Sequence, residues 1–110
     1  MSTKATNSQT TPTTDPTIQL DVLGDECART ILVATSAGPK TAKELTDRTD
    51  SSSATVYRRI NNLLESNLLA ECVRFESDGS HTTAYEATVE HVEVQIDSDG
   101  IDVALSAMDE

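Results

Sequence analysis

The sequence predicts an α+β fold: three core helices, a β-hairpin after them, and a further β-hairpin towards the C-terminal end. Three observations predict it. Apolar residues recur at helical spacing as far as Leu64, most clearly Val56, Ile60, Leu63 and Leu64 at i, i+4, i+7 and i+8. After Leu68-Leu69 the apolar period falls from that of a helix to that of a strand. Two turn clusters, Ser77-Asp78-Gly79-Ser80 and Asp99-Gly100, each divide a pair of alternating runs.

Taken in order, Met1 to Pro16 is rich in Thr, Ser, Asn and Pro and almost free of apolar residues. Such a stretch cannot bury enough surface to offset its ordering entropy, so a disordered tail is expected over 1–16. Ile18, Leu20, Val22 and Leu23 form an apolar lead-in, either extended or a helical turn. Asp25 is a good N-cap for a helix from Glu26 to about Ala37, and Gly38-Pro39 ends it. Thr41 and Glu44 make a Thr-x-x-Glu capping box for a helix to about Arg48, with Ala42 and Leu45 inward. A turn over Thr49-Asp50-Ser51-Ser52 leads into a third helix, Ser53 to Ser66. Two short helices joined by about four residues, the second with a polar outer face, make a helix-turn-helix. Ala70, Cys72 (or Val73) and Phe75 then alternate with Glu71, Arg74 and Glu76, and His81 to Thr88 is the returning strand. Val92, Val94 and Ile96, then Ile101, Val103 and Leu105, alternate with polar residues as a second hairpin over 90–106; 107–110 is a frayed end. An isolated hairpin is marginal in water. Its apolar face therefore covers the domain's own core over 17–89 or a second subunit.

The third helix has an unusual polar face. It offers Thr55, Arg58, Asn61 and Asn62, with Arg59 on the flank and no acid before Glu65. Hydroxyl, amide and guanidinium groups are those that meet phosphates and base edges in a DNA groove. The charge distribution points the same way. The chain has 19 acids and 8 bases, a net charge of −11. From Lys40 to Arg74, however, six bases face five acids, while the rest holds two bases and fourteen acids. One segment is spared the acidity.

The stretch GPKTAKELTDRTDSSSATVYRRINNLLESNLL and the hairpin after it resemble the winged helix-turn-helix transcription regulators, in particular the small ArsR-like regulators of haloarchaea. The resemblance covers roughly Leu20 to Val89. It implies that Ser53 to Ser66 is a recognition helix, with Ser52, Thr55, Arg58 and Asn62 towards the groove and Tyr57 and Arg59 on the rim towards phosphates. It places Thr41 and Lys43 where they touch phosphate. It makes Ser77 to Thr82 the wing tip, with Ser80, His81 and Thr82 as contacts and Arg74 at the wing's base. Glu76 and Asp78 depart from the family's pattern, putting acids where relatives often carry bases. The implied function is sequence-specific, as a homodimeric regulator on double-stranded DNA in the cytoplasm. The acidic, aromatic-poor composition is similar to that of proteins from salt-accumulating haloarchaea, in which molar salt shortens the Debye length to about 3 Å. The alternative is a winged-helix interaction module whose acidic surface docks a transcription-machinery partner.

Other chemistries find little support. No nucleophile neighbours a base and no Gly-rich phosphate loop is present, so no enzyme and no cofactor are expected. His81, Glu86, Glu90, His91 and Glu93 are the one candidate metal set, but they fall on strands of mixed parity, so no metal site is expected. Cys27 and Cys72 form no CxxC pair and are expected as small half-buried residues. No apolar run approaches the roughly 20 residues of a membrane span.

Overall fold

The computed structural model describes residues 16–107. The expected tail lies outside the described residues except for Pro16, and the expected frayed end does so except for Ala107. The elements are α1 (Pro16–Leu23), α2 (Glu26–Ser36), α3 (Ala42–Arg48), α4 (Ser53–Glu65), β1 (Leu69–Phe75), β2 (His81–Ala87), β3 (Val89–Asp97) and β4 (Gly100–Ala107). The fold is an α+β winged helix-turn-helix with an additional C-terminal hairpin. None of the described helices is long and apolar enough to cross a membrane.

The apolar lead-in is helical. Pro16 opens α1, where its missing N–H costs nothing. Gln19 and Val22 face inward, and Gln19 Nε2 donates to the Ser66 carbonyl at 3.1 Å. That bond supplies a partner to a carbonyl at the C-terminal end of α4 that has none within its own helix. It also pins α1 across α4.

The helix-turn-helix forms from local signals. Asp25 caps α2 by accepting the Ala28 N–H at 2.8 Å. Thr41 and Glu44 make both bonds of the capping box, at 3.1 and 3.0 Å. Ser52 caps α4 by accepting the Thr55 N–H. At the other end of α4, Asn67 takes φ 65°. Asn67 N–H donates to the Leu64 carbonyl and Leu68 N–H to the Leu63 carbonyl, a Schellman ending. It turns the chain straight into β1, with Leu63 and Leu68 both fully buried.

β1 and β2 pair antiparallel from Leu69↔Ala87 to Phe75↔His81. Lys40 bridges Tyr85 on β2 through two backbone bonds of 3.0 and 2.8 Å, tying the α2–α3 loop to the wing. Two strand expectations are corrected. Phe75, expected inward, is 72% exposed and meets His81 edge to face at 4.5 Å. Cys72 is the half-buried residue of the Cys72/Val73 pair, and Arg74 shares its face. The strand runs past the end of the core, so the distal residues of the other face have nothing apolar to cover. The second hairpin turns one residue early: Asp97 pairs with Gly100, leaving Ser98-Asp99 as the loop, and Gly100 takes φ 135°. Val103 and Leu105 join the same buried cluster as Val22, Ile31, Leu45, Val56, Ile60 and Leu63. The proximal half of this hairpin thus covers the domain's own core.

Candidate nucleic-acid interface

The surface of α4 follows from its buried stripe. Val56, Ile60 and Leu63 are buried, so the direction opposite them is the outermost. Ala54, Arg58, Asn61 and Glu65 stand there at i, i+4, i+7 and i+11, all exposed, with Tyr57 exposed beside them. Thr55, Arg59 and Asn62 form a half-buried flank at the same spacing. The set expected to face a groove is therefore split. Ser52 and Arg58 are exposed, and Thr55 and Asn62 are half-buried. Tyr57, expected on the rim, is on the outer surface. Asn61, absent from the expected set, occupies the central position. The signal that finds it is the mean direction of the three buried side chains, since Leu64, half-buried, lies to one side of that stripe.

Each expected cation has a distinct environment. Arg58 makes no ion pair or hydrogen bond with any described residue. Lys43, at the start of α3, is exposed and stands 3.6 Å from Asp47. Arg59 turns inward: Nε lies 2.9 Å from Asp25 Oδ2, an ion pair whose angle leaves the buried N–H short of a well-formed hydrogen bond. The Ala28 N–H foremost, and then Arg59, hold the Asp25 carboxyl below its usual range. Arg59 thus joins α4 to the cap of α2.

Arg74 is drawn in further. Nη1 donates to Glu44 Oε1 at 2.8 Å and to the Pro39 carbonyl at 3.2 Å, Nη2 to Glu44 Oε2 at 2.9 Å, and Nε to Glu76 Oε2 at 3.0 Å. A guanidinium has five N–H donors in a fixed fork, so one remains for a phosphate. Arg74 above all, then the Thr41 N–H, holds the Glu44 carboxyl at about 2. Glu44 and then Glu76 push Arg74 up in return. Glu76 shares the Arg74 guanidinium with Glu44.

Thr41 is occupied as the cap of α3. At the wing tip, Ser80 donates its N–H and hydroxyl to Asp78 Oδ1 at 2.9 and 2.7 Å, holding the Asp78 carboxyl below its usual range. Ser80 and His81 are exposed, Thr82 is half-buried, and the tip carries no Lys or Arg. Glu86, Glu90, His91 and Glu93 do not converge with His81: among the described residues no three His, Cys, Asp or Glu side chains are placed to hold a metal ion.

A family model for a helix-turn-helix domain matches residues 23–72, from the end of α1 to the middle of β1. No curated protein matches the chain. The match coincides with the part of the fold that presents α4, and it supports a DNA-binding regulator.

Proposed function

We propose that this chain is a sequence-specific transcriptional regulator that binds double-stranded DNA as a homodimer at high salt. One observation carries the reading. Within a helix-turn-helix, the uncovered face of α4 holds Ser52, Tyr57, Arg58 and Asn61, and its first acid comes at Glu65. A helix that needed only solubility would be expected to place acids on that face, given fourteen acids in the rest of the chain outside Lys40 to Arg74.

Within the proposal, Arg58 and Asn61 read base edges, Ser52 and Tyr57 lie along the backbone, and Lys43 meets phosphate. Ser80, His81 and Thr82 of the wing reach the flank, and Thr55 and Asn62 act from the side of the helix. The homodimer draws support from Val94, Ile96 and Ile101, which extend the apolar face of the second hairpin beyond the core and remain exposed. Acids on the opposite face of that hairpin would not enter such a contact. The ArsR-like, haloarchaeal and cytoplasmic assignments rest on sequence resemblance and composition.

The test is selection of duplexes from a random pool in molar potassium chloride, followed by a mass measurement with and without the selected duplex. A recovered motif with twofold symmetry and a dimer on it is expected. A pool that stays random would refute the DNA-binding reading, and a single copy on an asymmetric site would refute the homodimer.

A further inference from the structure

We infer that Arg74 and Glu44 are positioning residues that set the tilt of the wing relative to α4, a deeper claim that rests on the DNA-binding reading only for its consequence. Besides its buried proximal residues, the wing has two polar ties to the α2–α3 side of the helical body. The first is the backbone bridge between Lys40 and Tyr85, and Tyr85 pairs with Glu71 in the hairpin. The second is the fork from Arg74 to Glu44 on α3 and to the Pro39 carbonyl. Arg74 pairs with Thr82, three residues nearer the tip than Tyr85. At about 3.3 Å per residue the two ties are roughly 10 Å apart along the hairpin.

Burial of Leu69, Ala84, Tyr85 and Ala87 together with the backbone bridge fixes the proximal half of the hairpin, and the fork adds a hold nearer the tip. Beyond the Cys72/Ala84 pair no apolar side chain of the hairpin is buried against the body, since Val73 and Phe75 are both exposed. The fork is therefore what directs the distal wing. Its geometry suits that role: two parallel N–H···O bonds define a plane, which a single Lys ammonium cannot do. Glu44 is itself held by the Thr41 N–H, and Glu76 holds the far side of the guanidinium. The start of α3, the α2–α3 loop and the wing thus meet on one carboxylate–guanidinium pair. In the DNA complex this would decide whether Ser80, His81 and Thr82 reach the flank while α4 occupies its groove.

The test uses the full chain free of DNA in molar potassium chloride. Residual dipolar couplings are measured in a neutral compressed gel for the wild type, Arg74→Met and Glu44→Gln. Gln retains the capping-box bond to Thr41, so that variant breaks the two-bond fork, leaving at most one uncharged bond to Nη1, without removing the cap. In the wild type, couplings from the wing between Arg74 and Thr82 should fit the same alignment as α2 and α4. In both variants that segment should depart from it, while the Lys40 and Tyr85 amides still fit. A lowered melting temperature with unchanged couplings would reduce the pair to a stabilising contact and overturn the inference. Duplex binding adds a separate readout. The wild type should favour a selected duplex with its flanks over one trimmed to the α4 site, and both variants should lose that preference while keeping affinity for the trimmed duplex. A wild type that selects no duplex would sink the DNA-binding reading and leave the coupling measurement to decide the tilt.

Discussion

At the scale of single residues, partner distance along the chain decides what sequence can reveal. Asp25 and the Thr41/Glu44 box were legible because each satisfies a backbone amide three residues on. Arg59 and Arg74 were not. Both stand in the segment where bases slightly outnumber acids, and their partners are distant in the chain: Asp25 at the start of α2, and Glu44 thirty positions before Arg74. A guanidinium paired with a carboxylate offers less net charge to a phosphate. This changes what substitution should do. Arg59→Ala should lower stability by about 0.5–1 kcal/mol, the range for partly exposed ion pairs. It should leave the preference among duplexes unaltered; a loss of DNA affinity with unchanged stability would return Arg59 to the phosphate backbone. Arg58→Ala should do the opposite. It removes a guanidinium with no ion pair or hydrogen bond among the described residues, so melting should hardly change, while affinity for the selected duplex falls by about 1–3 kcal/mol at one base position. Equal losses on selected and random duplexes would mean that Arg58 contacts phosphate alone.

At the scale of elements, periodicity located the helices and hairpins, and capping residues set their ends. It was less reliable about faces. The lead-in before Gly24 was ambiguous because its residues suit a turn of helix or an extended strand, and the deciding bond, Gln19 to Ser66, is tertiary. In β1 the alternation of Cys72, Val73, Arg74 and Phe75 fits either parity by hydrophobicity alone, and Glu44 chooses it by taking Arg74. The second hairpin divides by length. Val103 and Leu105 are buried in the core, whereas Val94, Ile96 and Ile101 remain uncovered on the continuation of the same face. Leu105→Ala should therefore cost about 2–5 kcal/mol, the range for large-to-small changes in a core. Ile96→Ser should change thermal stability by less than about 0.5 kcal/mol. If the uncovered half is the dimer contact, Ile96→Ser should instead raise the concentration at which the dimer forms, read by sedentation-velocity or mass measurement. Equal thermal losses in the two variants would show that the distal half is covered within one copy.

At the scale of the whole molecule the governing quantity is charge. A basic regulator loses affinity steeply with salt because each neutralised phosphate releases counterions, with a slope near −0.9 per contact on duplex DNA. Of the bases between Lys40 and Arg74, Arg59 and Arg74 are held by Asp25, Glu44 and Glu76. That leaves Lys40, Lys43, Arg48 and Arg58 as the segment's candidates to release counterions. Fourteen acids lie outside the segment. Bringing that acidic body near phosphates takes up cations that screen the new like-charge contacts, and uptake opposes release. The net dependence of affinity on salt should therefore be shallow, or reversed, between roughly 0.5 and 3 M potassium chloride, where the Debye length is a few ångströms or less. The fold should strengthen with salt in the same range, because Asp97, Asp99 and Asp102 crowd one hairpin end. Replacing Asp78 and Glu86 by Asn and Gln removes acids outside the Arg74 fork and so leaves the wing's second tie intact. It should steepen the fall of affinity with salt. Titration of the selected duplex against both proteins across that range decides the matter. A wild-type slope as steep as that of a regulator making six to ten phosphate contacts, or one unmoved by the substitutions, would mean that the acidic surface serves solubility and takes no part in binding.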